Sequence, residues 1–291
     1  TCGKCHPGVG SLVASGPVHV NMTYENGGHQ ITDYVRQFYI LLIIATIGFM
    51  LVHNGLDLAR NFKLREGLPN GDDFLRFTVS ERLQHATMAL SFIVLAYSGF
   101  ALQFPNAWWA VPFAWLSESE EIRRLIHRVA AVAMVGVCVF HAVYLVVTKR
   151  GRQQLKAMAP KLRDFRDFAQ MARYFLRRTE KQPRFARLSY IEKLEYWALV
   201  WGSVVMSVTG FALWFANISL RFIPKWILDV ATVIHYYEAW LAVLAIIVWH
   251  LYWVIYNPRV YPMSLVWLTG RMSKKAMEHE HPEELEEESN L

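Results

Sequence analysis

Residues 127–141 read HRVAAVAMVGVCVFH: a histidine, thirteen mostly apolar residues with one arginine at their start, and a second histidine. Fourteen residue steps advance a helix by about 21 Å through almost four whole turns, so His127 and His141 share a face, one near each end. A second stretch repeats the pattern. HYYEAWLAVLAIIVWH, residues 235–250, sets His235 and His250 fifteen residues apart, again roughly on one face over about 22 Å. Ionisable groups inside a bilayer are costly and usually functional. One such histidine alone is as well explained by a hydrogen bond to a neighbouring helix. Four at matched depths predict two stacked bis-histidine b-type haems, with His127 and His235 on the outer iron.

The rest of the chain agrees with a membrane setting. Its 291 residues are 54% hydrophobic and its mean hydropathy is positive, too apolar for an ordinary soluble domain of this size. Apolar runs of about 20 residues fall near 37–57, 83–104, 125–148, 194–216 and 233–256, which predicts an all-α membrane protein with five transmembrane helices. The first run follows a polar, glycine-rich segment and does not resemble a cleavable signal peptide. The net charge of +6 is uneven. Arg60, Lys63, Arg65, Arg76 and Arg82 follow the first run, and basic residues fill Lys149 to Lys193, whereas only Arg221 and Lys225 follow the fourth. The positive-inside rule then puts the N-terminus outside the cytoplasm and the C-terminus within it. Basic flanks on a five-span chain are topology signals, so no nucleic-acid partner is expected and membrane lipids are.

The N-terminal segment, residues 1–36, carries CGKCH. C-x-x-C-H is the attachment signature of c-type haem: Cys2 and Cys5 form the thioethers and His6 takes one axial position. A zinc site would need further ligands, and the remaining cysteine, Cys138, lies in the third run. His19 or His29 could be the second axial ligand. His19 is preferred because SGPVH resembles the distal-ligand stretch of multihaem cytochromes, where His19 could equally serve a haem held by another segment. The chain opens at Thr1, one residue before the motif, which suggests processing or a haem-rich portion upstream.

An internal repeat supports the ladder. YSGFALQF (97–104) and VTGFALWF (208–215) align at an offset of 111 that also superposes Leu83 on Leu194. Helices two and three then look like a duplicate of four and five. The duplication pairs His127 with His235 and His141 with His250 in a quasi-symmetric four-helix bundle over 80–270, with residues 37–58 as a tethering helix. Gly99, Gly136, Gly202 and Gly210 would let a macrocycle approach the backbone, or serve helix packing. Arg123, Arg124 and Arg128 flank His127. Arg128 is a candidate for a haem propionate, with interfacial anchoring an equal explanation.

ERLQHATMALSFIVLAYSGFAL, RLIHRVAAV and HYYEAWLAVLAIIVWHLYWVIYNPRVYPM resemble the di-haem cytochrome b subunits of membrane formate dehydrogenases and nickel-iron hydrogenases, and the wider b561 and b6 bundles. They are also similar to cytochromes b fused to multihaem cytochrome c. The likeness covers about residues 80–270. It implies that the inner haem takes its ligands from the start of the first bundle helix and the end of the last, here His85 and His250. The duplication favours His141 instead, because Tyr196 stands at the repeat position of His85. His85 is preferred slightly, and whichever is not a ligand could line a quinone site. His53, at the end of the first helix, could complete a third b haem, although an ordinary interfacial histidine reads more simply.

A stack of metal centres ending in a covalent haem c forms a path for single electrons, and the two-electron carrier within a membrane is a quinone. YNPRVYP offers Asn257, Arg259 and Tyr261 as quinone hydrogen-bonding groups, or as an interfacial belt. Within the loop 149–190, Leu162, Phe165, Phe168, Ala172 and Phe175 recur at helical spacing among basic residues and predict a surface-lying amphipathic helix. The acidic tail, 271–291, is expected to be solvated or disordered. The chain therefore reads as a membrane cytochrome b with an extracytoplasmic haem c, transferring electrons outward from quinol to an external multihaem cytochrome. Two alternatives are a cytochrome b anchor for a periplasmic dehydrogenase or hydrogenase delivering electrons to quinone, and a non-redox haem scaffold or sensor. Association into oligomers stays open.

Overall fold

The computed structural model describes residues 30–62, 71, 73–110 and 120–289. Cys2, Cys5, His6, His19 and His29 lie outside the described residues. The helices among them are α1 (Gln30–Asn61), α2 (Val79–Gln103), α3 (Glu120–Val147), α4 (Lys149–Met158), α5 (Leu162–Phe175), α6 (Tyr190–Trp214), α7 (Ala216–Ser219), α8 (Lys225–Ala245), α9 (Val266–Thr269), α10 (Lys274–Glu280) and α11 (Pro282–Ser289). A short 3₁₀ turn, Trp108–Ala110, follows α2, and π-helical turns over Ile246–His250 and Tyr252–Tyr256 extend α8. The strands β1 (Phe74–Leu75) and β2 (Arg271–Met272) pair antiparallel, Phe74 opposite Met272.

Five helices are long and apolar enough to cross a bilayer: Gln30–Asn61, Val79–Gln103, Glu121–Val147, Tyr190–Trp214 and Lys225–Tyr256. Leu41, Ile44, Leu90, Ile93, Val143, Val146 and Val208 on them stand exposed. Water would not tolerate such a surface, whereas hydrocarbon does. The spans begin before the apolar runs do, and in two of them polar caps start the helix. Thr78 and Glu81 form a capping box at α2, with Thr78 N donating to Glu81 at 2.7 Å. Ser189 and Glu192 form the corresponding pair at α6, also at 2.7 Å. Each satisfies backbone donors that no helical carbonyl can reach. Thr78 and Ser189, like Glu81 and Glu192, stand 111 residues apart, so the repeat extends to the caps.

Contacts divide the chain into two units. One holds the described residues up to Val52 together with Leu199–Val248, and the other holds His53–Ala198 with residues from Trp249. In the second unit α2 packs along α3. The buried Glu81 gathers Tyr144 (2.8 Å), Arg150 (2.9 Å) and Gln154 (2.6 Å) at its foot. Thr148 caps α4 after α3, and in the first turn of α4 a Cβ on Gly151 would press on the Tyr144 carbonyl and the Leu145 Cα.

The C-terminal tail is folded, contrary to the sequence expectation. Gly270 ends α9 in the left-handed region (φ 79°), with the Phe77 carbonyl where a Cβ would go. The chain then pairs β2 with β1, and Met272, Ala276 and Met277 bury against Phe74, Val266 and Leu285. The tail acids meet basic residues that follow α1 and that lie in or follow α5. Glu284 binds Arg76 and Arg187, Glu283 binds Arg163, and Glu286 binds Arg184. His281 donates from Nδ1 to the Ala186 carbonyl at 2.9 Å. Complementary charge plus a small apolar cluster outweighs the tail's own polarity.

The amphipathic loop is helical as expected, but its buried face is shifted. Met171, Tyr174 and Phe175 are buried, whereas Leu162 and Phe165 are exposed.

Candidate functional site

The repeat motif around Gly99 and Gly210 supports one histidine in each copy. Within the second unit, His127 Nδ1 lies 3.0 Å from Ser98 Oγ, whose proton goes to the Val94 carbonyl at 2.6 Å. Within the first, His235 Nδ1 lies 2.9 Å from Thr209 Oγ1, which donates to the Val205 carbonyl at 2.7 Å. A hydroxyl has one proton. Since that proton is spent on the carbonyl, each imidazole must donate from Nδ1. Nε2 then keeps its lone pair, the tautomer a metal ligand requires, fixed by the kind of supporting bond that metal-binding histidines usually have.

Two of the four glycines lie against the candidate imidazoles. A Cβ on Gly99 would lie 3.1 Å from His127 Cε1, and one on Gly210 would lie 3.2 Å from His235 Cε1. They leave room for the imidazoles. Gly202 faces the Glu238 carboxylate at 3.2 Å, and Gly136 has nothing within 4 Å.

Toward the other end of the spans, His85 and His250 face each other with ring centres 6.3 Å apart and planes at 39°. Two metal–nitrogen bonds of about 2 Å, plus a little over 1 Å from nitrogen to ring centre on each side, require roughly 6 Å. His250 Nδ1 is held by Glu195. His85 Nδ1 is buried without a partner, an orphaned polar atom that a group bound at this site would account for. These residues fit an iron held between two imidazoles.

His141 has another arrangement. Gln84 donates through Nε2 to Ser80 (3.1 Å), so its Oε1 accepts from His141 Nδ1 at 2.7 Å. His141 Nε2 lies 3.3 Å from the Tyr196 hydroxyl, closer than the roughly 4 Å that two metal bonds would need. The two pairs are related by the repeat: Gln84 and Glu195 hold the Nδ1 atoms, and His85 corresponds to Tyr196.

Histidine pairs of this kind on apolar spans are the scaffold of a membrane cytochrome b, and the comparisons agree. The profile of the family described as prokaryotic cytochrome b561 matches residues 76–266, well over half of the chain. The chain belongs to that family. It is also similar to the formate dehydrogenase cytochrome b556(fdo) subunit of Escherichia coli K12, 26% identical over 211 residues covering 70% of this chain and 90% of the relative. The subunits of strains O6:H1 and O157:H7 match equally. The chain is thus a membrane cytochrome b, an electron-transport protein carrying b haem.

The remaining candidates of this b561-family protein are placed as follows. His53 is buried with Nε2 at 2.8 Å from the Tyr190 hydroxyl. Phe175, Trp249 and Trp253 also surround its ring at 4.9 to 5.9 Å between centres. Among the described residues its ring neighbours include no second histidine, so a haem at His53 would need this aromatic box rebuilt. Asn257 donates to the buried Asp57 at 2.8 Å and accepts from Arg259 N at 3.0 Å. Arg259 donates to Asn61 (2.9 Å) and Gln182 (3.4 Å). Asn257 and two of the Arg259 nitrogens are thus engaged inside the protein, and of the three only the Tyr261 side chain stands exposed. Tyr252 and Asn61 complete the Asp57 network at 2.7 and 2.8 Å. Arg128 is exposed directly after His127.

Sequence reasoning missed the supporting residues Ser98, Thr209, Gln84 and Glu195. The repeat carried the signal, since Ser98 and Thr209 sit in the aligned segments and Gln84 and Glu195 directly follow the aligned leucines.

Proposed function

We propose that this cytochrome b moves electrons between membrane quinol and an extracytoplasmic cytochrome, outward across the bacterial inner membrane. The inner haem takes His85 and His250, and the outer takes His127 and His235. The observation that carries the reading is the facing His85 and His250 pair, with Glu195 behind one imidazole and an unpartnered Nδ1 on the other. Support for the outer ligands comes from the matched hydroxyl and glycine environment of His127 and His235 in the two copies. The haems supply reversible one-electron chemistry at potentials that ligation and burial tune. The chain's own residues fix the ligand tautomers and keep the imidazoles in register. Cys2, Cys5, His6 and His19 would hold the haem c that hands electrons on to a multihaem partner, with the N-terminus periplasmic. A quinone near Arg259 and Tyr261 is part of the same reading, since the Tyr261 side chain is exposed two residues after Arg259.

A second reading has electrons entering from a periplasmic dehydrogenase or hydrogenase and leaving to quinone, which the name of the E. coli relatives favours. A pyridine haemochrome assay on the purified chain tests the haem set, with two b haems per c haem expected. His85→Ala should lose one b haem while His141→Ala keeps both. The reverse would move the ligand to His141, and no b haem at all would end the reading. Rapid haem reduction by a quinol analogue, followed by oxidation on adding a multihaem cytochrome, would support outward flow. Loss of quinol-driven reduction with haem retained in Tyr261→Phe or Arg259→Ala would support the quinone position, and unchanged turnover would remove it.

A further inference from the structure

Glu238 is an acidic side chain in the apolar part of α8, one helical turn beyond His235, and it is buried. It is not a capping, interfacial or surface residue. A carboxyl group at such a position is expensive unless it is used, and neither the haem-ligand set nor the quinone position uses it. Its hydrogen-bond partner is the hydroxyl of Tyr39 on α1, the helix outside the repeat. Gly202 on α6 gives it space, since a Cβ there would come to 3.2 Å from its Oε1.

From Tyr39 a line of polar groups runs toward the N-terminal end of α1. The Tyr39 ring stacks on Tyr237 with centres 6.4 Å apart. Tyr237 hydrogen-bonds Arg36, which is buried and pairs with Asp33 at 2.6 Å. Asp33, Arg36 and Tyr39 are spaced by three residues, so they follow one face of α1 over about 9 Å of rise. Asp33 sits in the first turn of α1, where its side chain is partly accessible. All of these residues belong to the first unit.

We propose that Glu238 is a redox-linked protonation site for the haem held by His235, exchanging its proton with the extracytoplasmic side along Tyr39, Arg36 and Asp33 on one face of α1 and Tyr237 of α8 beside them. The inference rests on the proposed function for the ligand role of His235 and for the orientation of α1. The groups facing Glu238 are Tyr39 and, behind it, Arg36 and Asp33 on α1, Tyr237 and His235 on its own helix, and the bare backbone of Gly202 on α6. In a medium of low dielectric, a charge one helical turn from a ligand is barely screened from the metal. Glu238 therefore binds one proton from the extracytoplasmic medium as an electron from quinol reduces the ferric iron on His235, and returns it as the electron leaves. One electron and one proton arrive together and depart together, so the site's charge is unchanged.

Redox titration of the full-length protein from about pH 6 to about pH 8, following the b-haem absorbance, tests this. One b haem of the wild type should change midpoint potential with pH, approaching the limit of about 59 mV per tenfold change in proton concentration. Glu238→Gln, with haem content unchanged, should flatten that slope, and Tyr39→Phe should slow the proton step without abolishing it. Redox-difference infrared spectra give a readout independent of any variant: reduction of the wild type should raise the carbonyl band of a protonated carboxylic acid. A wild-type slope retained in Glu238→Gln, or no carboxyl band on reduction, would overturn the proposal. Two b haems with pH-independent potentials would overturn it alone, whereas absence of b haem from the wild type would remove the electron-transfer reading beneath it.

Discussion

Glu195 accepts the Nδ1 proton of His250, and so fixes which nitrogen of that imidazole keeps a lone pair. The carboxylate raises the basicity of the imidazole and stops the ring from turning. Glu195→Gln should keep the inner b haem but raise its midpoint potential, because a neutral amide stabilises ferric iron less. Glu195→Ala should weaken retention of the inner haem by about 10- to 100-fold, the usual cost of losing such a partner. Spectroelectrochemistry and a haem count on each variant would check both, and wild-type potentials in Glu195→Gln would count against the ligand role of His250.

The two copies of the hydroxyl support should behave alike. Ser98→Ala and Thr209→Val each remove a hydroxyl that accepts from an imidazole Nδ1, at a cost of about 1 kcal/mol. Each should lower thermal stability and shift the potential of the same haem, the outer one. Shifts in two different haems would contradict the pairing of His127 with His235.

Gly99→Ala and Gly210→Ala put a methyl group about 3 Å from an imidazole carbon. The ring has to move, so both should broaden the b-haem absorbance and reduce outer-haem occupancy. Gly136→Ala, with open space around it, should leave spectrum and occupancy as they were.

The folded tail should come loose in acid. Burial, the largest cause, pushes the pKa of His281 down, so the folded state holds it neutral. Its contribution is complete above the unfolded value of about 6.5 and is lost as pH falls below it, because the unfolded chain then binds the extra proton. The hydrogen bond from Arg163 holds Glu283 below the usual carboxylate range. That contribution is present above about pH 4.3 and is lost as pH falls further. Limited proteolysis of the tail should accelerate below about pH 6.5, and His281→Gln should remove this first phase. Glu284→Gln, which leaves the buried Arg76 short of its carboxylate, should destabilise the tail by about 3 kcal/mol at neutral pH. Equal protection of the tail at every pH would argue against the latch.

The five spans were legible because length and hydropathy are local properties, and the duplication was legible from two eight-residue strings. Span starts were misjudged by one or two turns, since capping boxes at Thr78 and Ser189 carry polar residues into the helix. The tail was misread because its partners, Arg76 and Arg187, lie 208 and 97 residues from Glu284, beyond any local window. Competition between His85 and His141 could not be resolved from spacing. Both sit on apolar spans, and only the side chains beside them, Tyr196 against one and His250 against the other, distinguish them.

Tyr196 gives the duplication its historical meaning. If both halves descend from one ancestral pair of helices, that ancestor carried a single residue where His85 and Tyr196 now stand. The phenol at 196 closes directly on His141 and leaves no gap between them. Two corners that the repeat makes equivalent have thus diverged: at one an imidazole faces His250 across an open gap, and at the other a phenol seals the space against His141.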